Sequence, residues 1–300
     1  MTNTEAAASM DRVSEEQPLA GAAIAQAQAA ANAAGVVIRY LSALDDLERV
    51  YQLYDNIWRP DPKNPPVTTE LLRGLTKAGN YVGGAFDGDE LVGACVGFFG
   101  PPASEEMHSH IAGVAPSAMR RSVGLALKLH QRAWALQRGV SRIAWTFDPL
   151  IARNAYFNLV KLGASAAEYL PDFYGQMHDS INGGTESDRL LVNWDLTDPR
   201  VTDAAHGVLR PPDAKAEEAA GAVIALDRSP DGRPVLTTKD GRTLLVAVPT
   251  DVEGLRGTDP ECAREWRIAV RETLGVAMAQ GGQVTGFDKA GWYVVSRRGQ

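Results

Sequence analysis

The chain has 300 residues, 45% hydrophobic and 22% charged, which suits one large domain with a smaller one beside it. Its formal net charge is −7 with no basic block, so neither nucleic acid nor an anionic membrane is expected as a partner. The two cysteines, Cys95 and Cys262, lie far apart in no CxxC or Cys/His spacing, which argues against a disulfide framework or structural zinc.

The opening segment MTNTEAAASM has acidic residues and no cationic start before an apolar run, and nowhere do about 18 apolar residues run together. A cytoplasmic protein is therefore expected. Residues 1–35 are rich in Ala, Gln and Glu and poor in large apolar side chains, which predicts a disordered or loosely helical tail. The β-branched run 36–41 reads as a strand. Leu44, Leu47, Val50, Tyr51, Tyr54 and Trp58 then recur at helical spacing, with Ser42 as the expected N-cap. Residues 59–66 are proline-dense and predict a loop, after which Thr68 or Thr69 caps a short helix closed by Gly79.

NYVGGAF and ELVGACVGFF, joined by Asp-Gly-Asp, form the strongest hairpin signal, and 107–115 is a further strand. SVGLALKLHQRAWALQRG reads as a helix with Leu125, Leu129, Ala133 and Leu136 on one face and Gly139 as its stop. A strand over 141–147, a helix over DPLIARNAYFNLVKLG and a strand over 189–196 complete a domain at 36–197. Antiparallel strands first and a βαβ unit after them predict an α/β fold of α+β type: a mixed, mostly antiparallel sheet with helices on both faces.

Residues 198–219 read as a linker, and 220–300 as a small α+β domain. In it, AVIALD, RPVLTT and TLLVAVP are expected strands, the last two joined by a KDGR turn. ECAREWRIAVRETLGVAMAQGG is an amphipathic helix and GWYVVS a last strand. Arg264, Arg267 and Arg271 form a stripe on that helix that reads as a solvated face.

The segment with chemical content is HIAGVAPSAMRRSVGLALKLHQRA. A strand ending in Val-Ala-Pro, a short polar loop and Val-Gly opening a helix make a nest of free backbone N–H groups at a helix N-terminus, which fits a pyrophosphate. This resembles the GNAT superfamily motif Gln/Arg-x-x-Gly-x-Gly/Ala after a strand ending in Val-x-Pro. Counted from Val114 and Pro116, the loop length puts Met119, Ser122 and Gly124 on the motif positions; read from the arginine, Arg121, Gly124 and Ala126 match it. Loop length favours the first register, in which Arg120 and Arg121 supply charge and Val123 opens the helix. WTFDPLIARNAYFNLVKLGA, PDFYG and SDRLLVNWDL are similar to a large-GNAT family with a carboxy-terminal extension, and VAVPTDVEGL and EWRIAVRETL fit that extension. Some of its members are succinyl-CoA-dependent amino acid N-succinyltransferases encoded beside N-acylamino acid racemases.

The resemblance implies an acyltransferase with acetyl-CoA or succinyl-CoA as donor, a small-molecule amine as acceptor and a homodimer as candidate assembly. It implies that the thioester carbonyl meets the fourth strand at Ala112–Val114. Where some relatives carry a glutamate on that strand this chain has His108, with His110 on the same face, and an imidazole titrates where a base is needed. The usual acid tyrosine falls on Leu159, which leaves Tyr156 as the nearest phenol. Asn154 and Asn158, four residues apart on a helix, are candidates for the pantetheine amides. Arg189, then Arg153, are candidates for an acceptor carboxylate, with Tyr174 in the loop beside it. The second hypothesis is a catalytically silent acyl-CoA-binding module, favoured by Met119, Ser122 and Leu159. Five histidines without ligand spacing give no expected metal site.

Overall fold

The computed structural model describes residues 3–60, 65–101, 104–175, 186–238 and 240–297, with side chains from residue 18 onward. In chain order the elements are α1 (Asn3–Ala34), β1 (Val37–Tyr40), α2 (Leu44–Trp58), α3 (Thr69–Lys77), β2 (Tyr81–Asp87), β3 (Glu90–Phe99), β4 (Glu106–Val114), α4 (Val123–Leu136), β5 (Arg142–Phe147) and α5 (Ala152–Tyr156). They continue as β6 (Ser165–Leu170), β7 (Arg189–Asp195), α6 (Pro199–Ala205), α7 (Ala214–Ala219), β8 (Val223–Arg228), β9 (Pro234–Leu236), β10 (Thr243–Ala247), α8 (Val252–Thr258), α9 (Pro260–Val270), α10 (Val276–Ala279), β11 (Gln283–Asp288) and β12 (Trp292–Ser296).

Two compact units account for the chain: Met1–Ala144 with Asp195–His206, and Trp145–Trp194 with Gly207–Gln300. They do not coincide with the expected boundaries at 36–197 and 220–300, because the division runs through the middle of β5. The loop expected over 59–66 lies partly outside the described residues, as does Lys239 of the KDGR turn.

In the first unit, β1, β2, β3 and β4 pair antiparallel in sequence order, and β4 pairs parallel with β5. Side chains alternate across this sheet. Ala94 and Val96 of β3 join Leu47, Val50 and Tyr54 of α2 and Leu72 of α3 in one core cluster. On the opposite face, Gly93 and Gly97 lie against Val123, Leu127 and Gln131 of α4. Thr68 caps α3 as predicted, its hydroxyl accepting from the Leu71 N–H at 3.2 Å. Helix α2 starts behind Ala43 with no side-chain cap, so Ser42 does not serve there; Asp45 and Asp46 complement its N-terminus instead.

The expected tail is a helix. Ala23, Ala27, Ala31 and Ala34 of α1 are buried, and α1 packs on α4. Small side chains let two helices approach closely, so alanine alone supplies an interface that a count of large apolar residues misses. Because α4 has the sheet beneath it and α1 above it, it is buried beyond the single predicted stripe: Ala126, Leu127, Gln131 and Arg132 are buried, while Leu125 and Leu136 are only half-buried.

In the second unit β6, absent from the predicted order, pairs antiparallel with β7. The carboxy-terminal strands form a sheet in the order β11-β12-β10-β8-β9. The second and third strands, expected to be joined by the KDGR turn, are not neighbours among the described strands. β9 pairs with β8, and β10 lies between β8, parallel, and β12, antiparallel. The expected linker contains α6 and α7, each capped by an aspartate, Asp198 and Asp213. α8 and β11 were also not predicted. The last long helix is broken by a π turn at Arg271–Gly275, and another follows α5 at Phe157–Lys161.

Candidate functional site

After β4 the chain passes through a 3-10 turn, Pro116–Ala118, and α4 begins at Val123, where loop length puts the helix start. Arg120 and Ser122 have φ of 66° and 63°, the left-handed region that strains residues other than glycine. Such a sequence of handedness turns successive N–H groups toward one side. Among the described residues, the N–H groups of Arg120, Arg121, Ser122, Val123 and Gly124 donate to no acceptor. They sit at the positive end of α4, and the arrangement suits an anion such as a pyrophosphate.

Gly124 supports the fit. A Cβ placed there would meet nothing nearer than Val114 Cγ2 at 3.9 Å, so the protein's own packing does not require glycine. The space beside its backbone is open to an approaching ligand. Arg120 is exposed beside the cradle, and so is Met119, at 59%. Arg121 departs from its expected role: its guanidinium bonds to Asp87 and to the Ala34 and Gly35 carbonyls.

β4 pairs with β5 only through Glu106, Met107 and His108, opposite Arg142, Ile143 and Ala144. Ala112 and Val114 lie beyond that ladder and pair with Cys95 and Gly93 of β3. The β3–β4 register shifts between Val96 and Gly97, opposite Ile111 and Ser109, which leaves His110 as the extra residue of a bulge. His108 and His110 thus come to one side: Phe98 lies 5.1 Å from the His108 ring and 5.9 Å from His110, and the two imidazoles are 6.3 Å apart. Burial, then the neighbouring His110 and Lys128, holds the His108 imidazole below the usual histidine range, so it is neutral at neutral pH.

Gly113 beside them has a packing role. A Cβ there would come within 2.6 Å of Trp58, which shares this face through Tyr54 and α2.

In the second unit Tyr156 is half-buried at the end of α5 and Asn154 is half-buried two residues before it. Asn158 does not share their position. The π turn carries it into the core, where it is 4% exposed and its Oδ1 accepts from Trp145 Nε1 at 3.2 Å. Its amide is therefore not available to pantetheine. Arg153 is likewise occupied, its fork engaging both carboxylate oxygens of Glu253.

Arg189 and Tyr174 are brought together. The Arg189 guanidinium lies 5.4 Å from the Tyr174 ring centroid and donates to the Asp188 carbonyl at 2.9 Å. The Tyr174 hydroxyl is 3.2 Å from Thr146 Oγ1. The loop over 171–175 is tied down by Asp188 Oδ1, which accepts from the Asp172 N–H at 3.0 Å, and by Ser187 Oγ, which accepts from the Tyr174 N–H at 2.7 Å.

Three clusters went unnoticed in the sequence. Arg267, expected on a solvated face, is 4% exposed and donates twice to Asp148 at 2.7 Å, while Arg256 donates to the same carboxylate at 2.5 Å. Arg271 binds Asp188, which also accepts from the Tyr169 hydroxyl at 2.6 Å. In the first unit Lys128 is 4% exposed and donates to Ser109 Oγ at 3.0 Å and Gln131 Oε1 at 2.7 Å. Apart from Lys128 with Gln131, one helical turn on, each of these contacts joins residues distant in sequence, so no spacing rule marks them. Among the described residues, no group of three or more His, Cys, Asp or Glu side chains is arranged to hold a metal ion, and no helix is long and apolar enough to cross a membrane.

Residues 22–157 match the family model described as an acetyltransferase (GNAT) domain, and the cradle, the β4 bulge and the mixed sheet all lie within them or on their border. Over these residues the chain is similar to GNAT acetyltransferases, and the class this supports is an acyltransferase.

Similar solved structures include the ribosomal-protein-S18-alanine N-acetyltransferase of Escherichia coli, 14% identical over 54% of this chain and 95% of that chain, TM-score 0.44. An N-acetyltransferase of Staphylococcus aureus Mu50 is 15% identical over 54% of this chain and 99% of that one, TM-score 0.43. The yncA protein of Salmonella typhimurium, solved with its cofactor acetyl-CoA, is 15% identical over 55% and 95%, TM-score 0.44. No curated protein matches the chain.

Proposed function

We propose that the protein is an acyl-CoA-dependent N-acyltransferase that moves an acetyl or succinyl group to the amine of an amino acid or a similar small molecule. The observation that carries this reading is the row of unbonded N–H groups from Arg120 to Gly124 at the start of α4, inside a GNAT domain. A pyrophosphate of acyl-CoA would take those donors, with Arg120 at its edge, and the edge of β4 at Ala112–Val114 would run beside the pantetheine arm.

Bound acyl-CoA supplies the activated acyl group as a thioester. The acceptor amine attacks its carbonyl carbon, the C–N bond forms and the C–S bond breaks. His108, held neutral by burial, takes the proton that the amine nitrogen loses. Tyr156 is the candidate donor of a proton to the leaving thiolate. Arg189, with Tyr174 over it, is the candidate anchor for an acceptor carboxylate, since a guanidinium fork matches a carboxylate in charge and geometry. The likeness of WTFDPLIARNAYFNLVKLGA and SDRLLVNWDL to the large-GNAT N-succinyltransferases keeps succinyl-CoA beside acetyl-CoA as a candidate donor.

Thermal melting with acetyl-CoA, succinyl-CoA and free coenzyme A tests the cradle, because a ligand of the folded state raises the melting temperature. The expected result is a rise with all three. Thiol release across a panel of amines and of D- and L-amino acids then tests transfer. No melting shift with any of them overturns the proposal, and shifts without thiol release for any acceptor would leave a binding module.

A further inference from the structure

Of the cradle residues, Arg121 is the one whose side chain is spent inside the protein. Its Nη1 donates to Asp87 Oδ2 at 2.6 Å, and its Nη2 donates to the Ala34 and Gly35 carbonyls at 3.2 and 3.1 Å. Helix α1 ends at those carbonyls. Gly35 adopts φ +65°, its N–H returns to the Asn32 carbonyl at 3.0 Å, and the Val36 N–H returns to the Ala31 carbonyl at 3.0 Å.

The last carbonyls of a helix lack intrahelical donors and carry partial negative charge, so a guanidinium is a fitting partner for them. A Cβ at Gly35 would stand 3.2 Å from Arg121 Nη2, which makes glycine the residue that leaves the guanidinium its place. Asp87 ends β2 at the hairpin turn, so the side chain is held from two separate elements.

The backbone on either side of Arg121 is strained at Arg120 and Ser122. Strain of that kind persists only where the surroundings over-determine it. Arg121 lies between the two strained residues, and three hydrogen bonds fix its side chain.

We infer that Arg121 is a positioning residue for the acyl-CoA site: clamped between Asp87 and the C-terminus of α1, it holds the Arg120–Ser122 backbone in the form that presents the N–H groups. Helix α1 and the β2–β3 turn are thereby working parts of that site. The inference rests on the cradle reading proposed above. It is opposed by the simpler idea that Arg121 is itself a phosphate ligand, merely parked on Asp87.

The two ideas give opposite signs at Asp87. If Arg121 is a ligand, Asp87→Asn releases it and coenzyme A binds more tightly. If Arg121 is a clamp, Asp87→Asn loosens the cradle and binding weakens.

The test is titration calorimetry with coenzyme A on the full chain, at about 0.3 M salt so that the altered charge acts little at a distance. Asp87→Asn, Arg121→Met and the double variant are compared with the unsubstituted protein. Each single change is expected to weaken binding about fivefold, the scale of a partly exposed ion pair, and the double to be no worse than the weaker single. In turnover assays the loss should fall on the KM for acyl-CoA rather than on kcat.

Tighter binding by Asp87→Asn, or unchanged binding by Arg121→Met, overturns the inference while leaving the cradle in place. No binding of coenzyme A by the unsubstituted protein overturns the cradle and the inference together.

Discussion

Lys128 reaches from α4 to β4 and donates to Ser109 Oγ at 3.0 Å, at the residue where the β4 register shifts against β3. The lysine is buried, and its second described acceptor is the neutral Gln131 amide. Burial pushes its ammonium down from 10.5 to about 8, with Cys95 acting weakly the other way. Between pH 8 and 10.5 the unfolded chain therefore holds a proton that the folded protein has released, and stability rises with pH in that window.

Lys128→Met should remove this effect. Urea unfolding at pH 7 and pH 10 should find the unsubstituted protein gaining roughly 2 to 3 kcal/mol on the variant, at about 1.4 kcal/mol per unit of pKa. A stability difference independent of pH would contradict a buried, titrating lysine.

Asp148 presents the opposite case. Burial alone would raise its carboxyl, but the paired Arg267 and Arg256 hold it well below the usual carboxylate range. Its stabilising contribution is complete above about pH 4, the unfolded value, and is lost as pH falls toward the folded one. Asp148→Asn should cost about 3 to 5 kcal/mol, because it removes the carboxylate that the buried Arg267 and Arg256 share. Denaturant unfolding at pH 7 measures it, and a loss under about 1 kcal/mol would mean that the cluster rearranges at little cost.

Ser122 occupies a left-handed position without a glycine. Ser122→Gly should stabilise the protein by about 0.5 to 1 kcal/mol, the relief of strain less the added chain entropy, with coenzyme A binding retained. Ser122→Val should do the reverse and weaken coenzyme A binding. Melting curves with and without coenzyme A distinguish the two, and a stabilising valine would refute the backbone assignment.

His108 carries the proposed base. Since burial lowers its pKa, the acid limb of kcat/KM for the acceptor should have its midpoint below 6.5. His108→Gln should reduce kcat about a hundredfold or more, the usual scale of general-base catalysis, and flatten that limb. A variant that keeps both the rate and the limb would move the search to His110.

The sheet of the first unit was legible because its signals are local: the Asp-Gly-Asp turn, the alternating strands and the Val-Ala-Pro loop each act within a few residues. The start of α4 at Val123 was legible for the same reason. The charge beside it was misread at Arg121, because a side chain's partner is decided by tertiary packing, here the end of α1. Asn158 was misread because one π turn rotates the face that an even helix would present. Buried pairs such as Asp148 with Arg267 and Lys128 with Ser109 join positions with no shared spacing. Strands β6 and β11 went unnoticed for a related reason: SAAEYL and QVTGFD have weak alternation and gain their place from partners already in the sheet.

The alanine face of α1 bears on how this domain can be handled. Composition suggests cutting the chain before Val36. A shortened protein of that kind would bare the outer side of α4, take away the Gln26 Oε1 that accepts from Arg132 Nη1 at 2.8 Å, and strip Arg121 of its Ala34 and Gly35 acceptors. The workable left-hand edge for expressing or transplanting this domain therefore lies upstream of Ala23, the first buried alanine among the residues whose side chains are described.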